Sequence, residues 1–230
     1  MQAVNASFMQ HISDHGLSYG TVEEYNFRLD LFKATHAIIE NHNASNATYT
    51  LGHNFLSTWT EAEKKKLNGF IASPIPEKIE EFTPVNGLPA TVNWVTAGAV
   101  TPVKNQASCG SCWSFSTTGA VEGANFISTK KLVSFSEEQL VECSKLNHGC
   151  NGGSMALAFR YLEKHAADTE ASYPYTSGAG KVGSCNSSVK PTSVNVTSYA
   201  MVTPNNSDAL KTAIAAGPVS VAIQADKAAF

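Results

Sequence analysis

Segment 106–113, with the sequence Gln-Ala-Ser-Cys-Gly-Ser-Cys-Trp, holds the residues best suited to chemistry in this chain. The run of small residues from position 112 to 126 predicts a buried helix that begins at Cys112 and that other elements approach closely. A thiol in the first turn of a helix lies at the positive end of the helix dipole, which favours the nucleophilic thiolate. The side-chain amide of Gln106 and the backbone N–H of Cys112 are suitable donors to a developing oxyanion. The segment therefore predicts acyl transfer with Cys112 as the nucleophile.

Two other chemistries are open to the same cysteines. Cys109 and Cys112 form a C-x-x-C pattern, which also occurs in redox dithiols and in zinc sites. A zinc site needs a second close pair of ligands, and the remaining candidates lack that spacing: Cys143, His148, Cys150 and Cys185. We therefore favour the nucleophile and predict neither a metal nor a cofactor.

Composition restricts the partners and the compartment. Sixteen Lys and Arg against 19 Asp and Glu give a net charge of −3, so there is no basic footprint for nucleic acid or a membrane surface. The longest nearly apolar stretch, 213–225, is interrupted and too short to span a bilayer. Five cysteines leave at least one thiol unpaired.

Residues 1–7 do not resemble a secretory signal, so we expect the true N-terminus upstream. Export is favoured by six Asn-x-Ser/Thr sequons, at Asn5, Asn43, Asn46, Asn186, Asn195 and Asn205.

The chain is expected to have three parts: residues 1–66, a connector at 67–87 and residues 88–230. The first part has no cysteine and five of the seven histidines, and prolines and glycines mark the connector. Capping boxes at 7–10 and 21–24 predict helix starts in the first part. Apolar spacing predicts a helix face with Val22, Tyr25, Leu29, Phe32, His36 and Ile39. Further helices are predicted at 136–143, 154–166 and 207–216, and a strand at 219–223.

Several segments together resemble papain-like cysteine peptidases of the cathepsin L type. They are Pro-Val-Lys-Asn-Gln at 102–106, the cysteine motif at 109–113, 132–143, Gly-Cys-Asn-Gly-Gly at 149–153, Ser-Tyr-Pro-Tyr at 172–175 and 217–222. Upstream, the spacing resembles the inhibitory propeptide of the family at Glu24, Arg28, Phe32, Ile39, Asn43 and Asn54. The resemblance implies an α+β fold: a helical propeptide, then a two-domain peptidase whose helical left domain is present and whose β-barrel right domain is mostly missing.

The resemblance also implies roles for individual residues. Cys112 matches the nucleophile and Gln106 the oxyanion donor. The left-domain disulfides imply the pairs Cys109–Cys150 and Cys143–Cys185, which leaves Cys112 free. Gly152 and Gly153 match the backbone that pairs with an extended substrate. Met155 and Ala222 match the walls of the pocket for the residue two before the cut.

Departures from the family pattern set limits on these expectations. Thr35, Leu56, Thr58, Asn93 and Ala107 replace residues that are usual there, and Thr58 stands where the family has an aspartate tied to acid-triggered release. Only 118 residues follow Cys112, whereas the histidine that serves as general base in the family lies about 130–150 residues downstream. His148 and His165 do not match it and are expected to face solvent. We therefore expect a fragment that is inactive as it stands.

Two functions of different class follow. The first is a monomeric cysteine endopeptidase zymogen that acts on polypeptides, is inhibited by its own propeptide, and resides in a lysosome- or vacuole-like compartment or is secreted. The second is a non-catalytic protein that binds or inhibits related peptidases through its propeptide-like helices.

Overall fold

The computed structural model describes residues 2–75, 79–80, 87–190, 192 and 194–225. It divides into two compact units, Met1–Lys65 and Lys66–Phe230. We refer to them as unit 1 and unit 2.

Unit 1 is built from three helices: α1 Gln2–Asp14, α2 Val22–Asn43 and α3 Glu61–Lys65. The predicted cap of α2 is confirmed, since the Thr21 hydroxyl accepts from the Glu24 N–H at 3.1 Å. The predicted cap at position 7 is wrong. Helix α1 begins at Gln2, so Ser7 lies inside it, and its hydroxyl donates to the Ala3 carbonyl one turn back at 3.1 Å.

The core of unit 1 is aromatic. Phe8 of α1 and Phe32 of α2 are both buried, with their ring centroids 5.3 Å apart. The predicted apolar face of α2 is buried at Phe32 and Ile39, whereas Val22 at the N-terminal end is 70% exposed. The face therefore packs through its middle and its C-terminal half.

Unit 2 contains four α-helices in its described residues: α4 Cys112–Thr129, α5 Glu137–Cys143, α6 Met155–Leu162 and α7 Ser207–Ala216. Single 3₁₀ turns lie at Gly149–Asn151 and Ser177–Ala179. Two short strands, β1 Ile79–Glu80 and β2 Met201–Val202, pair in parallel with Ile79 opposite Met201. This part of the chain is thus mostly helical with little strand.

The core of unit 2 forms where α4, α5 and α6 pack together. Its buried side chains are Trp113, Val121, Phe135, Leu140, Val141, Ala158, Leu162 and Ala167. The prediction that small residues of α4 allow close approach is confirmed at Gly123, where an added Cβ would lie 2.5 Å from Pro218 Cγ. It does not hold at Gly119, which faces open space.

A buried charge network links α4 to α5. Lys104 Nζ donates to Glu122 Oε1 at 2.7 Å and to Glu137 Oε1 at 2.6 Å, and both carboxylates are buried. Burial lowers the pKa of Lys104, but its hydrogen bonds to the two glutamates outweigh this, so the pKa lies above its ordinary value. Burial raises the pKa of Glu137, although Lys104 and Thr118 oppose it.

Two predicted elements differ from the structure. Helix α6 ends at Leu162 and not at residue 166, because the chain turns there and the Ala167 N–H donates to the Val194 carbonyl. The strand predicted at 219–223 is wrong: Val221 and Ile223 are 56% and 67% exposed and in irregular structure. An apolar alternation forms a strand only when a neighbouring strand accepts its hydrogen bonds. Among the described residues, no strand pairs with this segment.

No helix in the described part of the chain is both long enough and apolar enough to cross a membrane.

Candidate active site

Cys112 is the first residue of α4, and its thiol is free and half-buried. The first backbone hydrogen bond of the helix runs from the Ser114 N–H to the Ser111 carbonyl at 2.8 Å. Helices leave their first N–H groups without an intrahelical partner, and the Cys112 N–H is one of these. A free thiol and an N–H without an intrahelical partner therefore coincide at one residue.

Tyr175 contributes to the structure of the site. In the sequence it was noted only as part of the Ser-Tyr-Pro-Tyr segment at 172–175. The Tyr175 hydroxyl donates to the Gln106 carbonyl at 2.9 Å and lies 2.8 Å from the Ser111 hydroxyl. It thus ties the residue before Cys112 to the proposed oxyanion donor. Burial is the main reason that the pKa of Tyr175 lies above its ordinary value. No local sequence signal points to this contact, since 69 residues separate Tyr175 from Gln106.

Disulfides join the segments around the site. Cys109 is bonded to Cys150 and Cys143 to Cys185, with Cα–Cα distances of 4.6 and 4.8 Å. This is the pairing that the resemblance implies. The first bond holds the glycine-rich turn at 149–153 beside the start of α4, and the Gly110 N–H donates to the Cys150 carbonyl at 3.0 Å.

Gly153 pairs with the connector segment 67–71, which belongs to unit 2. Its N–H donates to the Gly69 carbonyl and its carbonyl accepts from the Ile71 N–H, both at 2.8 Å. The resulting bridge between Phe70 and Gly153 is parallel. Gly152 lies beneath the same segment at φ +111°, and a Cβ there would be 2.8 Å from the Gly69 carbonyl oxygen. Backbone that can pair with an extended peptide is thus occupied by the chain itself.

The connector also reaches the proposed oxyanion donor. Gln106 Nε2 donates to the Leu67 carbonyl oxygen at 3.0 Å and to the Cys109 carbonyl oxygen at 2.8 Å. Close packing accompanies these bonds: a Cβ on Gly69 would lie 2.0 Å from the Gly110 carbonyl oxygen. The connector therefore lies directly on the turn that precedes Cys112.

The two residues expected to line a substrate pocket lie in different surroundings. Met155 is half-buried at the start of α6, against the core of unit 2. Ala222 is exposed in the irregular segment 217–225. Met155 therefore has the environment of a core residue in this structure, and Ala222 has that of a surface residue.

Among the described residues, no histidine forms a hydrogen bond with Cys112. His148 and His165 are both exposed, as expected from the sequence. The His165 Nδ1 instead lies 2.9 Å from the Tyr161 carbonyl oxygen.

Unit 1 brings together two of its motif residues and adds one that sequence reasoning missed. Arg28 Nε donates to Glu24 at 2.6 Å, while its two terminal nitrogens contact both oxygens of Glu63 at 2.7 and 2.8 Å. Arg28 also donates to the carbonyl of buried Thr58 at 2.9 Å. The sequence signal for Glu63 was available, because Thr60 and Glu63 form a capping box at the start of α3.

The two motif asparagines support loops of unit 1. Asn43 at the end of α2 both donates to and accepts from the backbone of Leu51, at 2.8 Å each. The Asn54 N–H donates to the Ser57 hydroxyl at 3.0 Å, and its side-chain oxygen accepts from the Leu56 N–H at 2.9 Å. Both asparagines therefore fix backbone within unit 1.

Two protein families match this chain. Residues 88–230 match the papain family cysteine proteases, and residues 8–63 match the cathepsin propeptide inhibitor domain (I29).

Relatives agree with these matches. Cysteine proteinase 5 of Dictyostelium discoideum is 40% identical over 97% of this chain and 65% of its own length. Digestive cysteine proteinase 1 of Homarus americanus is 38% identical over 100% of this chain and 74% of its own length. A solved structure titled recombinant stem bromelain precursor gives a TM-score of 0.85 at 30% identity, covering 94% of this chain and 70% of that one. The chain thus spans just under two thirds of the Dictyostelium relative.

The predicted papain-like fold with a propeptide is confirmed by these comparisons. Because the first match covers more than half of its residues, the chain belongs to the papain family of cysteine proteases, with a cathepsin-type propeptide inhibitor domain preceding the protease domain.

Proposed function

We propose that this chain belongs to a cysteine endopeptidase zymogen in which Cys112 is the nucleophile and Gln106 an oxyanion donor. The observation that carries the proposal is the 3.0 Å hydrogen bond from Gln106 Nε2 to the Leu67 carbonyl oxygen. A backbone carbonyl is the group that a peptidase must polarise, and here one already lies on this donor. Because that carbonyl belongs to the connector, the same contact supports intramolecular inhibition.

The chemistry would proceed by acyl transfer. The Cys112 thiolate attacks the carbonyl carbon of the peptide bond, and the oxyanion accepts hydrogen bonds from the Cys112 N–H and the Gln106 amide. The C–N bond then breaks, the leaving amine takes a proton, and water hydrolyses the thioester. The proton donor is a separate requirement, worth about 10²–10⁴-fold in rate. Since His148 and His165 are exposed and do not bond to Cys112, we propose that these 230 residues alone do not turn over peptide.

Polypeptide substrates would bind as an added strand. The backbone of Gly153, now bonded to Gly69 and Ile71, would pair with an extended peptide once the connector leaves. We retain Met155 and Ala222 as the apolar walls that would select the residue two before the cut. A monomer in an acidic lysosome- or vacuole-like compartment, or outside the cell, completes the proposal; the paired cysteines and the sequons support export.

A chimera tests this function directly. Residues 1–230 would be joined to the C-terminal part of Homarus americanus Digestive cysteine proteinase 1 that this chain does not cover. We expect acid-treated chimera to hydrolyse fluorogenic peptides with an apolar residue two before the cut. Cys112→Ala should abolish turnover and Gln106→Ala should lower kcat by about 10²–10³-fold. A chimera that forms both disulfides and yet has no turnover would contradict the proposal, and so would Cys112-dependent turnover by the 230 residues alone.

A second candidate is a binding protein that inhibits related peptidases in trans. The inhibitor-domain match over residues 8–63 favours it. The full chain carrying Cys112→Ala would be titrated against a cathepsin L-like peptidase. Inhibition with a matching loss in a Phe32→Ala variant supports this candidate, and no inhibition at high micromolar concentration counts against it.

A further inference from the structure

Four of the seven histidines gather around one buried phenylalanine in unit 1. They are His11 of α1, His15 just after α1, His36 of α2 and His53 of the loop that follows α2, and we call them the histidine cluster. The His53 ring stacks on Phe32 with centroids 4.0 Å apart and planes 9° apart. The centroid of His11 lies 5.2 Å from Phe32, 4.5 Å from His15 and 6.4 Å from His53.

Two members of the cluster form a hydrogen bond that constrains their charge. His36 Nδ1 lies 3.0 Å from His53 Nε2, and the ring planes differ by only 5°. One nitrogen must donate and the other accept, so at least one of the two rings is neutral. His53 Nδ1 lies 3.1 Å from the Ser57 hydroxyl, which also accepts from the Asn54 N–H. Protonation of both rings would turn both facing nitrogens into donors and break the bond.

His11 is the cluster member whose positive charge, once protonated, would be least well stabilised. It is 5% exposed, and its Nε2 is buried without a hydrogen-bond partner among the described residues. A cationic imidazolium there would lack both water and an acceptor, which is costly in a buried site. The His11 ring packs on Phe32, which in turn packs on Phe8 in the aromatic core of unit 1.

From this geometry we propose that the histidine cluster is an acid-sensitive element that loosens unit 1 as the pH falls below neutrality. Protonation inserts positive charge into an aromatic core that already holds several imidazoles. Unit 2 has no such cluster, since its two histidines, His148 and His165, are exposed.

The direction of the pH effect follows from the surroundings. Burial lowers the pKa of His11 below 6.5, with help from His15 and His53, while Asp14 opposes the shift. Burial likewise lowers the pKa of His53, with help from His36 and against Glu40. The unfolded chain therefore binds more protons than the folded one below pH 6.5. The stability that the neutral cluster provides is complete above that pH and is lost as the pH falls from there towards the folded pKa values.

Hydrogen–deuterium exchange on the full 230-residue chain tests the proposal without any need for peptidase activity. Peptides covering 2–54 and 112–162 would be compared at pH 7.5 and 5.0, after correction for intrinsic exchange rates. We expect slow-exchanging amides of unit 1 to exchange severalfold faster at pH 5.0, because protonation of the cluster favours the opened state. Amides of α4 to α6 should change much less.

Two variants assign the effect to the cluster. His11→Phe replaces the unpartnered imidazole with an aromatic ring, and His53→Gln keeps groups that can bond to Ser57 and His36. Each should reduce the acid response of unit 1. His42→Gln is the matched control, because His42 lies on α2 outside the cluster and contacts Tyr49. An equal reduction in the control would overturn the proposal.

A histidine titration covers the case in which a variant does not fold. In the unsubstituted chain, NMR signals of the imidazole Cε1–H groups of His11 and His53 should titrate below pH 6.5. Titration of both at or above 6.5, or equal exchange of unit 1 at both pH values, would contradict the proposal. This test is independent of the proposed peptidase function, whose failure would leave the exchange results unchanged.

Discussion

The side-chain amide of Gln106 donates a hydrogen bond to the Leu67 carbonyl oxygen, 39 residues earlier in the chain. The amide also donates to the Cys109 carbonyl, so both of its hydrogens are used. A peptide carbonyl from outside can reach this donor only after Leu67 leaves. Access to the site is thus controlled by the position of the connector.

Substituting Gly69 should displace the connector. An alanine Cβ there would lie 2.0 Å from the Gly110 carbonyl oxygen, a backbone atom that cannot move aside cheaply. We expect Gly69→Ala to raise the rate of Cys112 alkylation by iodoacetamide at least severalfold. Gly52→Ala, in open space, serves as the control. Equal alkylation rates for both variants and the unsubstituted chain would show that the connector does not limit access to the thiol.

Peptide mapping without reductant should recover the two disulfides Cys109–Cys150 and Cys143–Cys185. Native protein should take up one alkyl group, at Cys112, and reduced, unfolded protein five. Replacing both Cys143 and Cys185 with serine should lower the free energy of unfolding by roughly 2–4 kcal/mol, since the bond closes a loop of 42 residues. A Cys109–Cys112 bridge would instead support redox chemistry.

Removing the charge of Lys104 should destabilise unit 2 strongly. Lys104→Met leaves the buried carboxylates of Glu122 and Glu137 without their cation, which typically costs about 3–5 kcal/mol. Burial already raises the pKa of Glu137, and loss of Lys104 would raise it further. In the variant, protonation of Glu137 at lower pH therefore stabilises the folded state. The loss should therefore be largest near pH 7 and smaller near pH 5.

Denaturant unfolding of the Lys104→Met variant at the two pH values measures this dependence. Lys131→Met removes the same charge from an exposed position and should change the free energy of unfolding by less than about 0.5 kcal/mol. A loss that grows towards pH 5 would mean that the carboxylates are not the origin of the effect.

The ion pair between Arg28 and Glu63 should stabilise unit 1 in a lower pH range than the histidine cluster. Hydrogen bonding from Arg28 lowers the pKa of Glu63 from 4.5 to about 2. Its contribution is therefore complete above pH 4.5 and is lost as the pH falls towards 2. Glu63→Gln should lower the free energy of unfolding of unit 1 by about 1–2 kcal/mol at neutral pH, discounted for partial exposure.

Thermal unfolding between pH 2 and 7 distinguishes Glu63 from a surface carboxylate. Glu61→Gln is the control, because Glu61 is 88% exposed and pairs with Lys64. It should leave the pH dependence of unfolding unchanged, whereas Glu63→Gln should flatten it below pH 4.5. If both variants flatten the curve alike, the bidentate pair is not its source.

Short sequence patterns predicted those helix ends that are determined by the residues next to them. The start of α5 at Glu137 follows from its Ser136 cap, and α7 ends at Ala216 where Gly217 and Pro218 follow. The strand expected at 219–223 could not be judged locally, because a strand also needs a partner. Likewise, Tyr175 reaches Gln106 across 69 residues, and no spacing rule predicts such a contact. Cys112 could be proposed as the nucleophile because the proposal depends on one contiguous motif.

The histidine cluster escaped prediction for a related reason. His36 was identified only as part of an apolar helix face, and His11 and His53 come from different elements. Their convergence on Phe32 depends on how α1 and the turn after α2 pack. The sequence could indicate only that histidines were concentrated in the first part of the chain.

The pairing of Gly69 and Ile71 with Gly153 takes place within one covalent chain. A segment tethered by a short linker experiences an effective concentration in the millimolar range. Two backbone hydrogen bonds and the one from Gln106 can therefore keep the connector bound, although the same peptide added from solution would bind weakly. A single cut between the connector and α4 would turn this intramolecular equilibrium into a bimolecular one. Dilution alone would then release the connector from Gly153, without any change in the contacts themselves.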